Sequence, residues 1–171
     1  TYKKDKNIST SRMIELAYLV SPHLELSYSS LTDRAKREFY LAKYPDLCKK
    51  KITSKENEKV KTGELSTTDL EELKIERITE EELATLTEED LKAAYLYYLM
   101  NRGYTYDEKV IKENATDQEY AYIAEHNSDL DGFNTVLDWE RVYPYGDTFR
   151  SVLGTVSTTT QGLPAEEKDE Y

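Results

Sequence analysis

The chain has 171 residues, a formal charge of −11, 38% apolar residues and 33% charged ones. That length suits one domain with a real core, and that charge disfavours non-specific binding to nucleic acid. Fifteen Tyr, three Phe and one Trp exclude a disordered chain; the lone Cys48 excludes an internal disulfide framework or a multi-Cys zinc site; the longest apolar run, Ala93 to Met100, is too short to span a bilayer.

In chain order, Thr1 reads as the tail of a strand. Ser9-Thr10-Ser11 stands ahead of Met13, Ile14, Leu16, Ala17 and Leu19-Val20, an amphipathic helix that Pro22 ends or closely follows. Thr32 or Asp33 caps a second helix through Phe39 and Leu41, stopped before Pro45. Residues 34–61 carry ten basic and four acidic groups, whereas residues 62–171 carry nine basic and 26 acidic ones. The basic block is either a solvated face complementing an acidic neighbour or a contact for anionic lipid or wall polymer.

Four helix starts follow, each a hydroxyl three residues before a carboxylate: Ser66 to Asp69, Thr79 to Glu82, Thr87 to Asp90 and Thr116 to Glu119. A mainly helical sub-region is therefore expected over about residues 30–103. In the Thr87 helix every residue from Ala93 to Met100 is apolar or aromatic, so both faces need cover. Leu91, Tyr95, Tyr98 and Leu99 are expected to pack on the Thr116 helix or a sheet. Leu96, Tyr97 and Met100, with Ala93, are expected to lie under the Ser66 helix or to form a partner surface.

Strands are expected at Tyr106 to Lys112, Phe133 to Tyr143 and Leu153 to Val156. The class is α+β, helix-rich with a small sheet. Thr1 in a strand tail and Tyr171 within a predicted helix suggest an excised piece of a longer protein.

The chemistry-bearing motifs are weak. Lys61-Thr62-Gly63 matches one element of penicillin-interacting serine enzymes, but no Ser here has a Lys three residues later and no Ser-x-Asn occurs. Asn127 to Asp138 resembles a calcium loop, with Asp129 and Asp131 at ligand spacing and Gly132 at the sharp turn. Its first ligand is Asn and its twelfth is the short Asp138, so a polar turn explains the same letters. His23 and His126 lack metal-ligand neighbours and read as exposed or capping residues. The acids of Glu80 to Glu82 and Glu88 to Asp90 suit the positive ends of their helices. No nucleophile, base and oxyanion hole assemble. Neither catalysis nor a cofactor or metal is expected.

The most specific stretch is Trp139-Glu140-Arg141-Val142-Tyr143-Pro144-Tyr145-Gly146-Asp147-Thr148-Phe149-Arg150-Ser151-Val152-Leu153-Gly154. Arg141 and Tyr143 would close a strand, Pro144 would end its ladder, Gly146 would permit a turn and Gly154 would end a short helix. The stretch resembles the R-x-Y-P-x-G signature of class B penicillin-binding proteins, located in their non-catalytic N-terminal pedestal, or dimerisation domain. Gln161-Gly162-Leu163-Pro164 and the acidic helix after it resemble the next segment in the monofunctional enzymes of low-GC Gram-positive bacteria. Arg77-Ile78-Thr79-Glu80, Val110-Ile111-Lys112, Thr116 to Tyr120 and Glu125-His126 are similar to pedestal segments in the same order.

The resemblance implies that residues 1–171 form one excised pedestal, with Arg141, Tyr143, Pro144, Gly146 and Gly154 as architectural residues. It also implies a parent cross-linking peptidoglycan from the outer face of the cell membrane, anchored by one N-terminal transmembrane helix outside this sequence. The implied partners are the parent's own transpeptidase domain, a SEDS-family glycosyltransferase and shape or division complex proteins. The alternative is a free-standing extracellular binding module, calcium-dependent through residues 127–138.

Overall fold

Hydroxyl caps lay out most of the helices. The computed structural model describes residues 1–137. Its helices are α1 (Thr10–Val20), α2 (Asp33–Lys43), α3 (Pro45–Lys49), α4 (Ser54–Thr62), α5 (Thr67–Glu76), α6 (Glu80–Leu83), α7 (Glu88–Asn101) and α8 (Asp117–Glu125). Ser9 and Thr32 accept the N–H of Arg12 and Ala35 and so open α1 and α2. Thr53, Ser66, Thr79, Thr87 and Thr116 each form a reciprocal box with the acid three residues on. In each box the hydroxyl accepts the acid's backbone N–H while the carboxylate accepts that of the capping residue, satisfying two donors the helix leaves open. No helix among the described residues is long and apolar enough to cross a membrane.

The long α7 is the axis of the main core. It combines a capped start, three acids in its first turn and no β-branched residue. Ala93, Ala94, Leu96 and Met100 are wholly buried, and α1 and α2 pack against the helix. α1 contributes Met13, Leu16, Ala17 and Val20 to this core, α2 contributes Ala35 and Phe39, and α8 adds Ile123. Each of the larger side chains among these, Met13, Leu16, Val20, Phe39 and Ile123, contributes about 1.5–3 kcal/mol on burial. A smaller cluster holds Tyr40, Cys48, Ile78, Leu83 and Leu86 where α2, α3 and α6 meet.

Two expectations are corrected here. Among the described residues there is no sheet: Tyr2 makes isolated antiparallel bridges with Lys109 and Phe133, and nothing extends them. Tyr2 N–H donates to Lys109 O, and Lys3 N–H to Gly132 O, so one short extended segment is tied on both sides. Val110 stays exposed, because Tyr106 to Lys112 is a loop touching down at one residue. The expected strand from Phe133 has its first residue in a bridge; most of it, and all of Leu153 to Val156, lie outside the described residues.

The second correction concerns the faces of α7. Leu96 and Met100 are wholly buried in a helix that packs on α1 and α2, while α5 packs on α2 and α4. The face of Leu91, Tyr95, Tyr98 and Leu99 buries only Leu99 fully; Tyr98 is 39% exposed and its ring stacks with that of Tyr95. Tyrosine tolerates that position because its apolar ring carries a polar tip.

Candidate functional site

The most developed polar constellation is a buried charge network beneath the caps of α7 and α8. Asp90, the third residue of α7, accepts the N–H of Thr87, the Nζ of Lys43 at 2.6 Å and the hydroxyl of Tyr18. Three helices therefore meet at one carboxylate. Burial opposes ionisation of Asp90, yet the bonds from Lys43, Tyr18 and Thr87 outweigh it and hold the carboxyl down at about 2. Burial and the same carboxylate push the Tyr18 phenol up to about 12. Burial opposes the charge of Lys43, but Asp90 and Tyr18 keep its ammonium ionised beyond the usual lysine range. Asp90 and Lys43 stay ionised and Tyr18 stays neutral, and each has a partner in the other two, which is a structural arrangement.

Glu119 plays the same part in α8. It accepts from Lys112 at 2.6 Å and from the backbone N–H groups of Thr116 and Glu25. Burial raises its pKa, but these donors win and hold the carboxyl at about 2. α8 is thereby fastened to the segment that follows α1.

The calcium-loop letters build a clasp. Arg12 Nε donates to Asp131 at 2.9 Å and its Nη2 to Asp129 O at 2.7 Å, so an arginine occupies the carboxylate a cation would need. Asn127 Nδ2 donates to Phe133 O and to Asn134 Oδ1. Gly132 has φ +84°, and a β-carbon there would stand 2.3 Å from Lys3 O. The glycine is required because the chain from Tyr2 to Lys3 lies directly against it. Asp138, the proposed twelfth ligand, lies outside the described residues.

Lys61-Thr62-Gly63 ends α4, with Gly63 as a left-handed C-cap at φ +80°, far from the strand that a serine-enzyme element requires. His126 caps α8 and His23 is exposed; their rings lie 4.5 Å and 3.6 Å from that of Tyr122. Of the candidate partner surface, Leu96 and Met100 are wholly buried and Tyr97 is half-buried against Phe39, so this face is core. Arg141, Tyr143, Pro144, Gly146 and Gly154 lie outside the described residues.

The basic block complements an acidic neighbour. Arg34 pairs with Glu72, Arg37 with Glu80, Lys43 with Asp90 and Lys51 with Glu82. In the reverse sense, Arg77 pairs with Glu56 at 2.6 Å and donates to Lys51 O. Sequence reasoning assigned Asp90 and Glu119 to caps alone, because nothing local points from them to Lys43, Tyr18 or Glu25.

The chain matches the family model of the penicillin-binding protein dimerisation domain over residues 4–171. It is 34% identical to penicillin-binding protein 2A of Bacillus subtilis, over 100% of this chain and 24% of that protein. Penicillin-binding protein H of the same organism is 26% identical over 99% of this chain and 28% of its own length. A solved penicillin-binding protein 2B from Streptococcus pneumoniae matches with a TM-score of 0.63 at 22% identity, over 99% of this chain and 26% of that one, a likeness of fold. The chain thus spans about a quarter of the length of these relatives.

Proposed function

Because the chain belongs to the penicillin-binding protein dimerisation-domain family, a non-catalytic domain, we propose that it is the pedestal of a wall-synthesis protein. In this reading it holds a transpeptidase domain at a set height on the outer face of the cell membrane. The longer protein would bind penicillin and cross-link peptidoglycan through a serine nucleophile supplied outside these 171 residues. Contacts with a SEDS-family glycosyltransferase and with shape or division complex proteins belong to the same proposal. Leu96 and Met100 are wholly buried and so are not available for those contacts.

The observation that carries the reading is the family match over nearly the whole chain, joined to a body whose polar constellations are spent on structure. A pedestal must be stiff, and charges fixed between helices resist bending and sliding. The test uses fluorescent penicillin. The 171-residue chain should stay unlabelled, whereas the longer protein should be labelled even when Leu96→Glu disrupts its pedestal. Cells relying on that variant should lose wall cross-linking in spite of the acylable serine. Covalent labelling of the chain itself, or full wall synthesis with the disrupted pedestal, would overturn the proposal.

A further inference from the structure

The turn clasped by Arg12 contains the sole Asp-Gly pair of the sequence, Asp131-Gly132. Phe133 N–H closes this turn on Leu130 O at 2.9 Å, with Asp131 and Gly132 between them and Gly132 at φ +84°. The Asp131 side chain is 49% exposed, and both residues line a cleft beside the start of α1, so water reaches the pair. Among the described residues the Gly132 N–H makes no hydrogen bond, whereas those of Leu130, Phe133 and Asn134 each do. The Gly132 nitrogen therefore carries no structural duty, and its residue has no side chain to screen it.

We infer that Asp131-Gly132 is a site of spontaneous isoaspartate formation, held back by Arg12, and that conversion opens the clasp. The Gly132 nitrogen gives up its proton to solvent base and forms a bond to Asp131 Cγ. The hydroxyl of the carboxyl leaves with a proton as water, which closes a five-membered succinimide. Water then adds to one of the two ring carbonyls. Breaking the bond from Cγ to nitrogen restores aspartate. Breaking the bond from the α-carbonyl carbon to nitrogen leaves the backbone running through Cβ and Cγ. One water is lost and one regained, so the mass is unchanged and no oxidant, metal or cofactor takes part.

Ring closure requires the carboxyl to turn about the side-chain bonds of Asp131. Arg12 opposes that movement at two points, with Nε on Asp131 Oδ2 at 2.9 Å and Nη2 on Asp129 O at 2.7 Å. Closure thus proceeds from a turn that has locally let go of Arg12, an opening that exposed turns undergo at low cost.

The product lengthens the backbone by one carbon where the chain has no slack. Downstream of the new linkage, Gly132 O accepts the N–H of Lys3, and Asn134 exchanges hydrogen bonds with Thr1. Gly132 also lies so near Lys3 O that a β-carbon would stand 2.3 Å from it. Upstream, Leu130 is buried and Arg12 holds Asp129. The two sides cannot both keep their partners once an extra carbon separates them. The carboxylate, moved onto the α-carbon, also loses the reach of the side chain that met Arg12. Tyr2, wholly buried in the main core, is tied to this turn through its bridge with Phe133, so the change passes to the packing of the first residues. The inference follows from the clasp and does not rest on the pedestal reading.

The test ages the 171-residue chain for several weeks at neutral pH and physiological temperature. Electron-transfer fragmentation then maps the linkages, because it separates aspartate from isoaspartate of equal mass. Isoaspartate should accumulate at residue 131 and not at Asp129, which is equally exposed but precedes Leu130. Arg12→Ala should speed the accumulation several-fold, while Asp131→Glu, whose closure needs a six-membered ring, should abolish it. The converted chain, isolated by ion exchange, should melt below the fresh one and lose amide protection at Lys3 and Asn134; the aged Asp131→Glu chain should show neither change. Mapping the unaltered chain decides the site even if a variant fails to fold. Four results would overturn the inference: aspartate intact at residue 131 after ageing, equal conversion at Asp129, no acceleration in a folded Arg12→Ala chain, or a converted chain with unchanged melting and protection.

Discussion

Two regions of the body are held together by different physics. Around α7 the stabilising element is apolar: Leu16, Val20, Phe39, Leu96 and Met100 are closed off from water, with one charge network set among them. Around α4 and α5 no residue of either helix is buried, and those helices depend on capping boxes and on pairs such as Arg77 with Glu56. Apolar burial is not weakened by charge screening, whereas exposed pairs are worth little singly and are screened. The first region should therefore set global stability, and the second should open locally well before it.

The largest effect should come from Leu96→Glu. An unpaired carboxylate would sit where α1 and α2 leave no water, at more than about 4 kcal/mol, so the chain should fail to fold or melt far lower. Circular dichroism melting measures it. An unchanged Tm would mean that α7 is not the axis of the core and would dissolve the contrast between the regions.

Next is Asp90→Ala, which strands Lys43 without its counter-charge and should lower stability by about 3 kcal/mol in denaturant unfolding. Combining it with Lys43→Met should recover much of that loss, because the double variant buries no lone charge. Independent, additive losses would show that the two groups do not interact as their 2.6 Å separation requires.

Acid probes the same network without mutation. Asp90 and Glu119 are held at about 2 in the folded chain, below their ordinary values. A carboxyl whose folded pKa is depressed stabilises above its unfolded pKa and loses that contribution as pH falls. Stability should accordingly be level above about pH 4.5 and decline steadily toward about pH 2. Asp90→Asn together with Glu119→Gln should make that decline shallower, leaving the share of Glu56, which Arg77 and Thr53 also hold at about 2, and an equally steep decline in the double variant would place the acid sensitivity elsewhere.

What could be read from the sequence divides along the same line. The caps were legible because a hydroxyl and an acid three residues apart decide a helix start locally, and Ser66, Thr79, Thr87 and Thr116 all do so. Thr53 with Glu56 carries the same signal, but it was passed over because α4 has no apolar periodicity to draw attention to it. The orientation of α7 was not legible, since an all-apolar run has no polar stripe to mark the outside, and tertiary partners chose. The expected sheet failed for a related reason: Val110 and Ile111 suit a strand, but pairing needs a second extended segment, and Tyr2 supplies contact at one residue only. Arg12 and Asp131 lie 119 residues apart in the chain, so no local pattern could join them into the clasp.

The smallest effect bears most directly on the contrast. Ser66 accepts the N–H of Asp69 at 3.0 Å, and Asp69 in turn accepts that of Ser66 at 3.2 Å, at the start of a helix without a buried residue. Ser66→Ala removes one side of that exchange and should cost about 1 kcal/mol. Because α5 has little burial of its own, the loss should appear as faster amide exchange from Leu70 to Arg77, while amides of α7 from Ala94 to Met100 keep their protection. Added salt should enlarge the local effect, since the pairs that remain, Arg34 with Glu72 and Arg77 with Glu56, are both screened. Were protection in α7 to fall by the same factor, the two regions would open as one cooperative unit. The caps of α5 would then contribute to the whole body, and the division between a core held by burial and a lobe held by caps would have to be abandoned.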